Sequence, residues 1–277
     1  MRNTLLRWAV VKRIIKKTLA IAEKQIYMKL RFKLRTIIHY FLPIITILMP
    51  IIVLGKFFEY NVNFGPWDSQ NYIIFVFTGY NILLFKQVIS YIPNQMKLEQ
   101  YWKTLTAVLV APFNRYYLLF GYFLSEMVFL AIPFLAFFIT LLIIYQISFA
   151  TVLVILLIFL GILLVFTAIG LFLAMIHIAN ESIFGIIDIL IDILFWLSCI
   201  TYPFLLFPNI VQNFISLNPI YYLVDLVRVL WLENNVLLTF INHSGEFLIV
   251  GFSIIIAPIL SVFMFNIIYK KLGAKGY

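Results

Sequence analysis

Charged residues are scarce in this chain of 277 residues: they make up 11% of it, whereas hydrophobic residues make up 64%. Average water-soluble domains carry roughly a quarter charged residues. A soluble domain of this length cannot bury so much apolar surface, and a disordered chain would contain far fewer Phe, Ile and Leu residues. The composition excludes both classes and predicts an all-α, polytopic membrane protein with about six helices of about 20 residues. We expect 1–277 to form a single transmembrane domain.

The sequence also lacks the motifs of several enzyme classes. Cys199 is its only cysteine, which excludes an intrachain disulfide. Gly55-Lys56 is followed by Phe57, so the chain has no phosphate-binding loop of the Gly-Lys-Ser/Thr type, and it has no Gly-x-Ser-x-Gly motif. No His, Cys or carboxylate cluster has the spacing of metal ligands. The histidines lie far apart, at His39, His177 and His243. We therefore expect no catalytic residue, metal or cofactor in this chain.

Basic residues outnumber acidic ones, and the formal net charge is +9. They gather at the N-terminus and beside the apolar runs, which favours an anionic membrane surface over nucleic acid as the partner. Within segment 1–35, residues 4–32 have apolar side chains at steps of three and four and basic ones elsewhere around the helix. This pattern predicts an amphipathic helix at the membrane interface. The alternative is a solvated helix against a soluble domain.

Six apolar runs predict the membrane spans. They are 37–54, 72–92, 116–145, 152–176, 183–202 and 247–269. Segment 93–115 is too charged for the bilayer core and is predicted to be a short cytoplasmic helix. Segment 208–246 mixes apolar pieces with polar residues, which predicts extracellular or re-entrant helices. Basic residues near the span ends predict a multi-pass protein of the cell membrane with both termini in the cytoplasm.

Charged residues within spans are costly in lipid and therefore indicate function or internal pairing. Lys86 lies in the second predicted span, Glu126 in the third, and Asp188 and Asp192 one helical turn apart in the fifth. One interpretation is a structural ion pair of Lys86 with Glu126 or with an aspartate. The other is that the aspartates line a translocation path, one of them protonated because like charges repel.

Two segments resemble the signatures of permeases of the ABC-2 type, the membrane subunits of ATP-binding-cassette exporters. The first comprises Lys97-Leu98-Glu99, Lys103-Thr104-Leu105, Ala111-Pro112-Phe113-Asn114-Arg115 and 118–121. Lys103 stands in place of the family's glycine, and Thr106 in place of its acidic residue. The second comprises Leu217-Asn218-Pro219, Tyr222 and Arg228 and is similar to the family's Asn-Pro, Tyr and Arg segment after the fifth span. Spans, loops and motifs follow the family's order over nearly the whole chain.

The resemblance implies partners and site residues. Such permeases work as pairs with two separate ATPase subunits, so a second copy, an ATPase and membrane lipids are the expected partners, and ATP and Mg are expected on the ATPase. The resemblance implies that 97–112 is a coupling helix seated in the ATPase; the alternative is packing beneath the chain's own helices. The candidate coupling residues are Lys97, Glu99, Tyr101, Trp102, Leu105 and Pro112. The outer gate would include Asn218, Pro219, Tyr222 and Arg228.

The expected function is therefore export of an amphiphilic substrate, such as a lipid-linked saccharide, a lipid or a drug-like molecule, powered by a separate ATPase. A short amphipathic helix on a membrane domain without a nucleotide site is suited to receive force from a partner. The alternative is a proton-coupled secondary transporter in which Glu126, Asp188 and Asp192 titrate. A requirement for nucleotide distinguishes the two.

Overall fold

The structure, a computed structural model, describes residues 2–31, 33–59, 65–105, 107 and 114–273. The helices whose bounds are described are α1 (Arg2–Leu30), α2 (Lys33–Glu59), α3 (Tyr72–Tyr101), α4 (Arg115–Ile144), α5 (Phe149–Ala179), α6 (Glu181–Trp196), α7 (Asn209–Ile215), α8 (Pro219–Glu233), α9 (Val236–Asn242) and α10 (Ser244–Gly273). A 3-10 turn, Phe204–Leu206, precedes α7.

The predicted all-α, polytopic fold class is confirmed. Within the described residues, five helices contain segments long and apolar enough to cross a bilayer: Thr36–Lys56 of α2, all of α3, α4 and α5, and Ser244–Lys270 of α10. α7 and α8 together meet the same standard, but they meet at 90°, which makes them a broken span or a re-entrant pair. The chain is a multi-pass membrane protein by the length and apolarity of these helices.

The fifth span is shorter in the structure than the sequence predicts. Its helix, α6, ends at Trp196 after 16 residues. That length is about 24 Å, against an apolar bilayer thickness of about 30 Å. The chain then turns, and Cys199 adopts a left-handed backbone conformation with φ of +53°. Leu197, Cys199 and Ile200 continue the apolar run after Trp196, with Ser198 as the one polar residue among them, so the composition does not reveal the end of the helix.

The second span is longer than predicted. α3 runs from Tyr72 to Tyr101, so residues 93–101 continue the span instead of forming a separate short helix. Pro93 lies inside the helix and is buried; packing with neighbouring helices makes such a proline tolerable in membrane proteins. At 30 residues, α3 is about 45 Å long and exceeds the apolar thickness of a bilayer.

The bundle has two different ends. At the α1 end, Lys24 of α1 contacts Glu99 near the end of α3. The opposite end carries the bend between α7 and α8 and is called the hairpin end. There Arg228 of α8 contacts Phe75 near the start of α3. α5 lies at the centre and packs against α3, α4, α6, α8 and α10. Four phenylalanine rings with centroids 5.0 to 6.3 Å apart fill the space between α3, α4 and α5. They are Phe85, Phe134, Phe138 and Phe159.

α1 packs against α4 through small side chains and leaves larger apolar ones outside. Thr18 and Ala22 are buried, whereas Ile15 and Leu19 are each 52% exposed. A helix with basic residues and an uncovered apolar face is suited to the bilayer surface, where the apolar face reaches the acyl chains. The predicted position of α1 at the membrane interface requires such an exposed apolar face.

Gly121→Ala is expected to destabilise the protein, because α1 and α4 are too close for a side chain here. A Cβ on Gly121 would lie 2.5 Å from Cγ2 of Ile21. Overpacking of this kind costs about 1–3 kcal/mol and outweighs the gain of about 0.5–1 kcal/mol from replacing a helical glycine. Thermal unfolding in detergent should show a lower Tm. Gly251→Ala in α10 is the control, since its Cβ meets nothing within 4 Å. Equal Tm values would contradict the packing of α1 on α4.

Candidate functional site

The end of α6 lies inside the bundle, where its last carbonyl groups need hydrogen-bond donors because bulk water is excluded. Asn218 supplies one set. Its Nδ2 donates to the carbonyl oxygens of Leu194 at 2.7 Å and Leu197 at 3.3 Å, and to Oγ of Ser198 at 2.9 Å. Its Oδ1 accepts from the backbone N–H of Ile220 at 3.0 Å and so caps α8. One buried side chain therefore joins the end of α6 to the beginning of α8.

Arg228 supplies the second set of donors. Its side chain is 1% exposed, and Nη1 donates to the carbonyl of Cys199 at 2.7 Å while Nη2 donates to that of Ile200 at 2.8 Å. Nη2 also reaches the carbonyl of Phe75 at 3.2 Å, and the guanidinium carbon lies 3.6 Å from the centre of the Phe75 ring. The planar fork of an arginine allows all of these contacts at once. Arg228, which belongs to α8, is thus bonded both to α3 and to the two residues Cys199 and Ile200 that follow α6.

Gly79 makes room for this junction on α3. A Cβ at this position would lie 2.6 Å from the carbonyl oxygen of Ile200 and 3.1 Å from Nη2 of Arg228. Pro219 occupies the first turn of α8, where its missing N–H costs nothing. The hydroxyl of Tyr222 donates to the carbonyl of Ser216 at 2.7 Å and closes the bend between α7 and α8. Asn218, Pro219 and Tyr222 therefore lie at the bend, and Arg228 lies in the third turn of α8. Asn218 and Arg228 are buried, and the gating role of the four residues stays a prediction.

Polar side chains of α3 and α6 meet along one face of the bundle. Nζ of Lys86 lies 2.5 Å from Oδ1 of Asp192, and Oγ of Ser90 donates to Oδ1 of Asp188 at 2.9 Å. Lys86 is thus paired with an aspartate and not with Glu126, and the role of the aspartates in a translocation path stays a prediction. The Asp192 side chain is 57% exposed and that of Lys86 22%. Exposed charges within a span require protein or water next to them.

Glu126 pairs with α1 rather than with Lys86. Its Oε2 lies 2.5 Å from Nζ of Lys29, and both side chains are at least 95% buried. The same ammonium lies 4.1 Å from the centre of the Tyr91 ring and 4.2 Å from that of Phe129, contacts that stabilise a desolvated cation. An ion pair that joins α1 to α4 is therefore buried at the α1 end.

The turn after α3, residues 101–105, contains a left-handed residue. Lys103 has φ of +60°, and its N–H donates to the carbonyl of Gln100 at 3.0 Å, while the N–H of Thr104 donates to that of Glu99 at 3.0 Å. These bonds close the end of α3 in the manner of a helix C-cap, a place where glycine is favoured. The 101–105 turn is therefore fixed by backbone hydrogen bonds.

The predicted coupling residues divide into an inner and an outer group. Glu99 and Leu105 are each 2% exposed, and Glu99 pairs with Lys24 at 2.8 Å. Tyr101 is 82% exposed and Trp102 50%. Lys97 is half-buried and lies with Tyr101 beside a groove that also includes His177 of α5. Pro112 lies outside the described residues.

His243 joins the ends of two helices at the hairpin end. Its Nδ1 lies 2.8 Å from Oε1 of Glu246 in the first turn of α10, and its Nε2 lies 3.7 Å from Oε1 of Glu233 at the end of α8. Among the described residues, no group of three or more His, Cys, Asp or Glu side chains could hold a metal ion. The cluster is therefore interpreted as an ion-pair bridge.

Several of these residues were not identified from the sequence. The partners Lys24 and Lys29 are two of several lysines in a basic helix, and the sequence does not show which of them face α3 and α4. Gly79 is an isolated glycine within an apolar run, and only the approach of Arg228 gives it a role. The pairing of these lysines with Glu99 and Glu126 depends on how α1 packs against α3 and α4. A local sequence pattern does not contain that information.

Arg228→Lys is expected to lower the Tm almost as much as Arg228→Met. A lysine keeps the charge but loses the fork that serves several carbonyl groups, and each buried acceptor left without a donor costs about 1–3 kcal/mol. Thermal unfolding in detergent measures both variants, with Arg31→Lys on the exposed surface as control. A wild-type Tm for Arg228→Lys would show that the fork is not needed.

His243→Gln is expected to destabilise the protein at low pH and much less at high pH. Burial lowers the pKa of His243, but the hydrogen bond to Glu246 and the charges of Glu246, Glu233 and Asp225 outweigh burial and raise the pKa above its ordinary value. The stabilisation is therefore complete below the unfolded pKa of about 6.5 and is lost as the pH rises through the higher folded pKa. The difference in Tm between variant and wild type should be largest below the unfolded pKa of about 6.5 and should shrink as the pH rises through the folded pKa. A difference independent of pH would contradict the bridge.

The chain matches no protein-family model and no curated protein. What is established is a multi-span, all-helical membrane protein. Its function has to be inferred from the 101–105 turn, the polar face of α3 and α6, and the junction at Arg228.

Proposed function

We propose that this protein is the permease subunit of an ATP-driven exporter of the ABC-2 type, which moves an amphiphilic substrate such as a lipid-linked saccharide, a lipid or a drug-like molecule out of the cytoplasm. The observation that carries the proposal is the 101–105 turn. It exposes Tyr101 and Trp102 at the α1 end, while Glu99 and Leu105 beside them are buried. Exposed aromatic side chains on a fixed turn are suited to anchor a partner protein.

The backbone at Lys103 supports the resemblance at a position where the residue type departs from the family. ABC-2 permeases carry glycine at the corresponding place. Lys103 has φ of +60°, a conformation that glycine adopts freely and that costs other residues about 1–2 kcal/mol. The chain thus keeps the turn for which a glycine is suited.

α3 is suited to carry movement from the turn to the hairpin end. It spans about 33 Å from Gly79 to Tyr101 as one helix, and it is attached at one end to α1 through Glu99 and at the other to α8 through Arg228. A partner that pushes on Tyr101 and Trp102 would shift α3 as a unit, because packed helices move as rigid elements. The hairpin of α7 and α8 would move with it and open the outer end of the path.

The polar face of α3 and α6 supports a second copy of this chain and a path between the copies. Asp192 is exposed beside Lys86, and a charge at the centre of a bilayer costs about 2.5–3.5 kcal/mol on insertion scales. Ile189 of α6 is 63% exposed on the same short helix. A second copy would cover the apolar part, and water or substrate would contact the charges. ATP and Mg would be bound by a separate ATPase at the α1 end, which the proposal puts in the cytoplasm.

A proton-coupled secondary transporter is the second candidate. The observation in its favour is the exposed carboxylate of Asp192 in a membrane-embedded face. Such a protein would transport with a proton gradient alone, whereas the exporter requires nucleotide hydrolysis by a partner.

Trp102→Ala combined with Tyr101→Ala is expected to reduce binding of the ATPase partner by tenfold or more, because aromatic anchors at an interface contribute about 2 kcal/mol or more each. Co-purification of the partner from the native membrane measures the effect. Phe252→Ala is the control, since Phe252 is 69% exposed on α10, which the proposal leaves outside the interface between copies. Unchanged binding in the double variant would contradict docking at the turn.

Cysteine substitutions on α6 are expected to give disulfide-linked dimers after mild oxidation, because we propose that two copies meet at this helix. Ile186, Ile189 and Ile193 are suitable positions, since each is at least 49% exposed. Phe252→Cys on α10, where Phe252 is 69% exposed, should remain monomeric, as should the wild type with its buried Cys199. Failure of all three α6 variants, or equal cross-linking of Phe252→Cys, would contradict the arrangement.

A further inference from the structure

A cavity of about 320 Å³ lies between α1, the beginning of α2, α3 and α4. Its lining on α3 runs from Gln87, in the middle of that helix, to Trp102, just after its end. These two positions lie about 22 Å apart along the helix axis. The cavity therefore reaches from the α1 end towards the middle of the membrane domain, and its volume is in the range of small-ligand sites.

Two amide side chains of α3 line this cavity. Gln87 and Asn94 are both exposed. They are seven residues apart and so lie on one face of the helix, about 10 Å from each other along its axis. Transfer of an amide from water into hydrocarbon without a hydrogen bond is costly. Exposed amides within a span therefore need a polar partner in the cavity, either water or a ligand.

The chemistry of an amide distinguishes among ligands. A carboxamide offers two N–H donors and a carbonyl acceptor. A phosphate oxygen only accepts and an ammonium group only donates, so each satisfies one half of the amide, whereas a hydroxyl group satisfies both. Ser90 lies between the two amides in the lining, and because its Oγ donates to Asp188, its lone pairs are left to accept. The polar lining on α3 is thus suited to a headgroup with several hydroxyl groups.

The charged side chains of the lining give no reason for a charged ligand. Lys29 and Glu126 form an ion pair with each other, so together they add no net charge to the cavity. Arg31 also interacts within the chain. An uncharged headgroup leaves these interactions intact.

The lining from α1 and α4 is partly apolar, and the cavity borders the lipid-facing surface of α2. Met28 and Leu130 supply apolar lining, and Thr36 lines the cavity at the beginning of α2. Next to Thr36 along the chain, Leu34 is 72% and Ile37 52% exposed. Exposed apolar side chains of a span contact lipid, so the chain of a lipid can enter the cavity beside α2 without crossing water.

We propose that this cavity binds a lipid whose headgroup is an uncharged sugar. The amides of Gln87 and Asn94 bind hydroxyl groups of the sugar, and the lipid chain contacts Met28 and Leu130 and continues into the bilayer beside α2. That such a lipid is the exported substrate rests on the proposed function. Its binding to the cavity requires neither an ATPase nor transport.

Two uncharged lipids test the assignment. Monoglucosyl diacylglycerol and diacylglycerol with the same acyl chains differ only in the sugar. We expect the purified full-length chain, in a polyoxyethylene detergent that contains no sugar, to bind the glucosyl lipid about tenfold more tightly by native mass spectrometry, the ratio given by one or two net hydrogen bonds. Equal binding or no retention of the two lipids would overturn the proposal. Tighter binding of phosphatidylglycerol, or displacement of the lipid by free glucose, would overturn it as well, because the site would then select a charge or a soluble sugar.

Variants locate the site. Gln87→Leu combined with Asn94→Leu removes both amides and places leucine at exposed positions of a span, where leucine is compatible with folding. The ratio of the two affinities should fall close to one, and each single variant, which covers the case that the double variant fails to fold, should lower it in part. Asn213→Leu at an exposed position of α7 is the matched control and should keep the ratio of the wild type. An unchanged ratio in the amide variants would overturn the site.

The outcomes for the site and for the exporter are separate. Absence of a partner ATPase would refute the exporter and leave these binding results unchanged. Loss of the preference for the sugar would refute the site and leave the test of the ATPase unchanged.

Discussion

A helix that ends inside a membrane protein needs hydrogen-bond donors for its last carbonyl groups, and in this chain Asn218 and Arg228 provide them. Without these two side chains, the carbonyl groups of Leu197, Cys199 and Ile200 would lose these donors at a depth where water does not compensate. The position of α8 follows from this requirement, because both donors belong to its first three turns or its cap. Gly79 of α3 then has to remain small. The hairpin end is therefore organised by a few polar contacts within an apolar bundle.

The α1 end is organised by ion pairs. Lys24 pairs with Glu99 and Lys29 with Glu126, so that α1 is joined to α3 and to α4. The first pair is partly exposed at Lys24, and the second is buried. Together with the long α3, these contacts connect an exposed turn at one end to a buried arginine at the other. This connection is the structural basis of the proposed export mechanism.

The sequence predicts the helical fold well, because every long apolar run has to become a helix in lipid. The predicted spans 152–176 and 247–269 lie within α5 and α10. The end of α6 was not predicted, since Ile200 is as apolar as the helix before it and only the contact with Arg228 distinguishes it. The second span was predicted to end at residue 92, but α3 continues through the buried Pro93 to Tyr101. The pair of Lys29 and Glu126 joins residues far apart in sequence, so it depends on the approach of α1 to α4 and not on any local pattern.

The most direct test of the central claim is purification of the tagged protein from its native membrane in mild detergent, with identification of the co-purifying chains and an assay of ATP hydrolysis. The exporter function predicts a stoichiometric cassette ATPase and nucleotide hydrolysis in the eluate. Repeated purification without such a chain, under conditions that preserve other membrane complexes, would contradict it. Transport driven by a proton gradient through Asp188 and Asp192 would then be the function to examine.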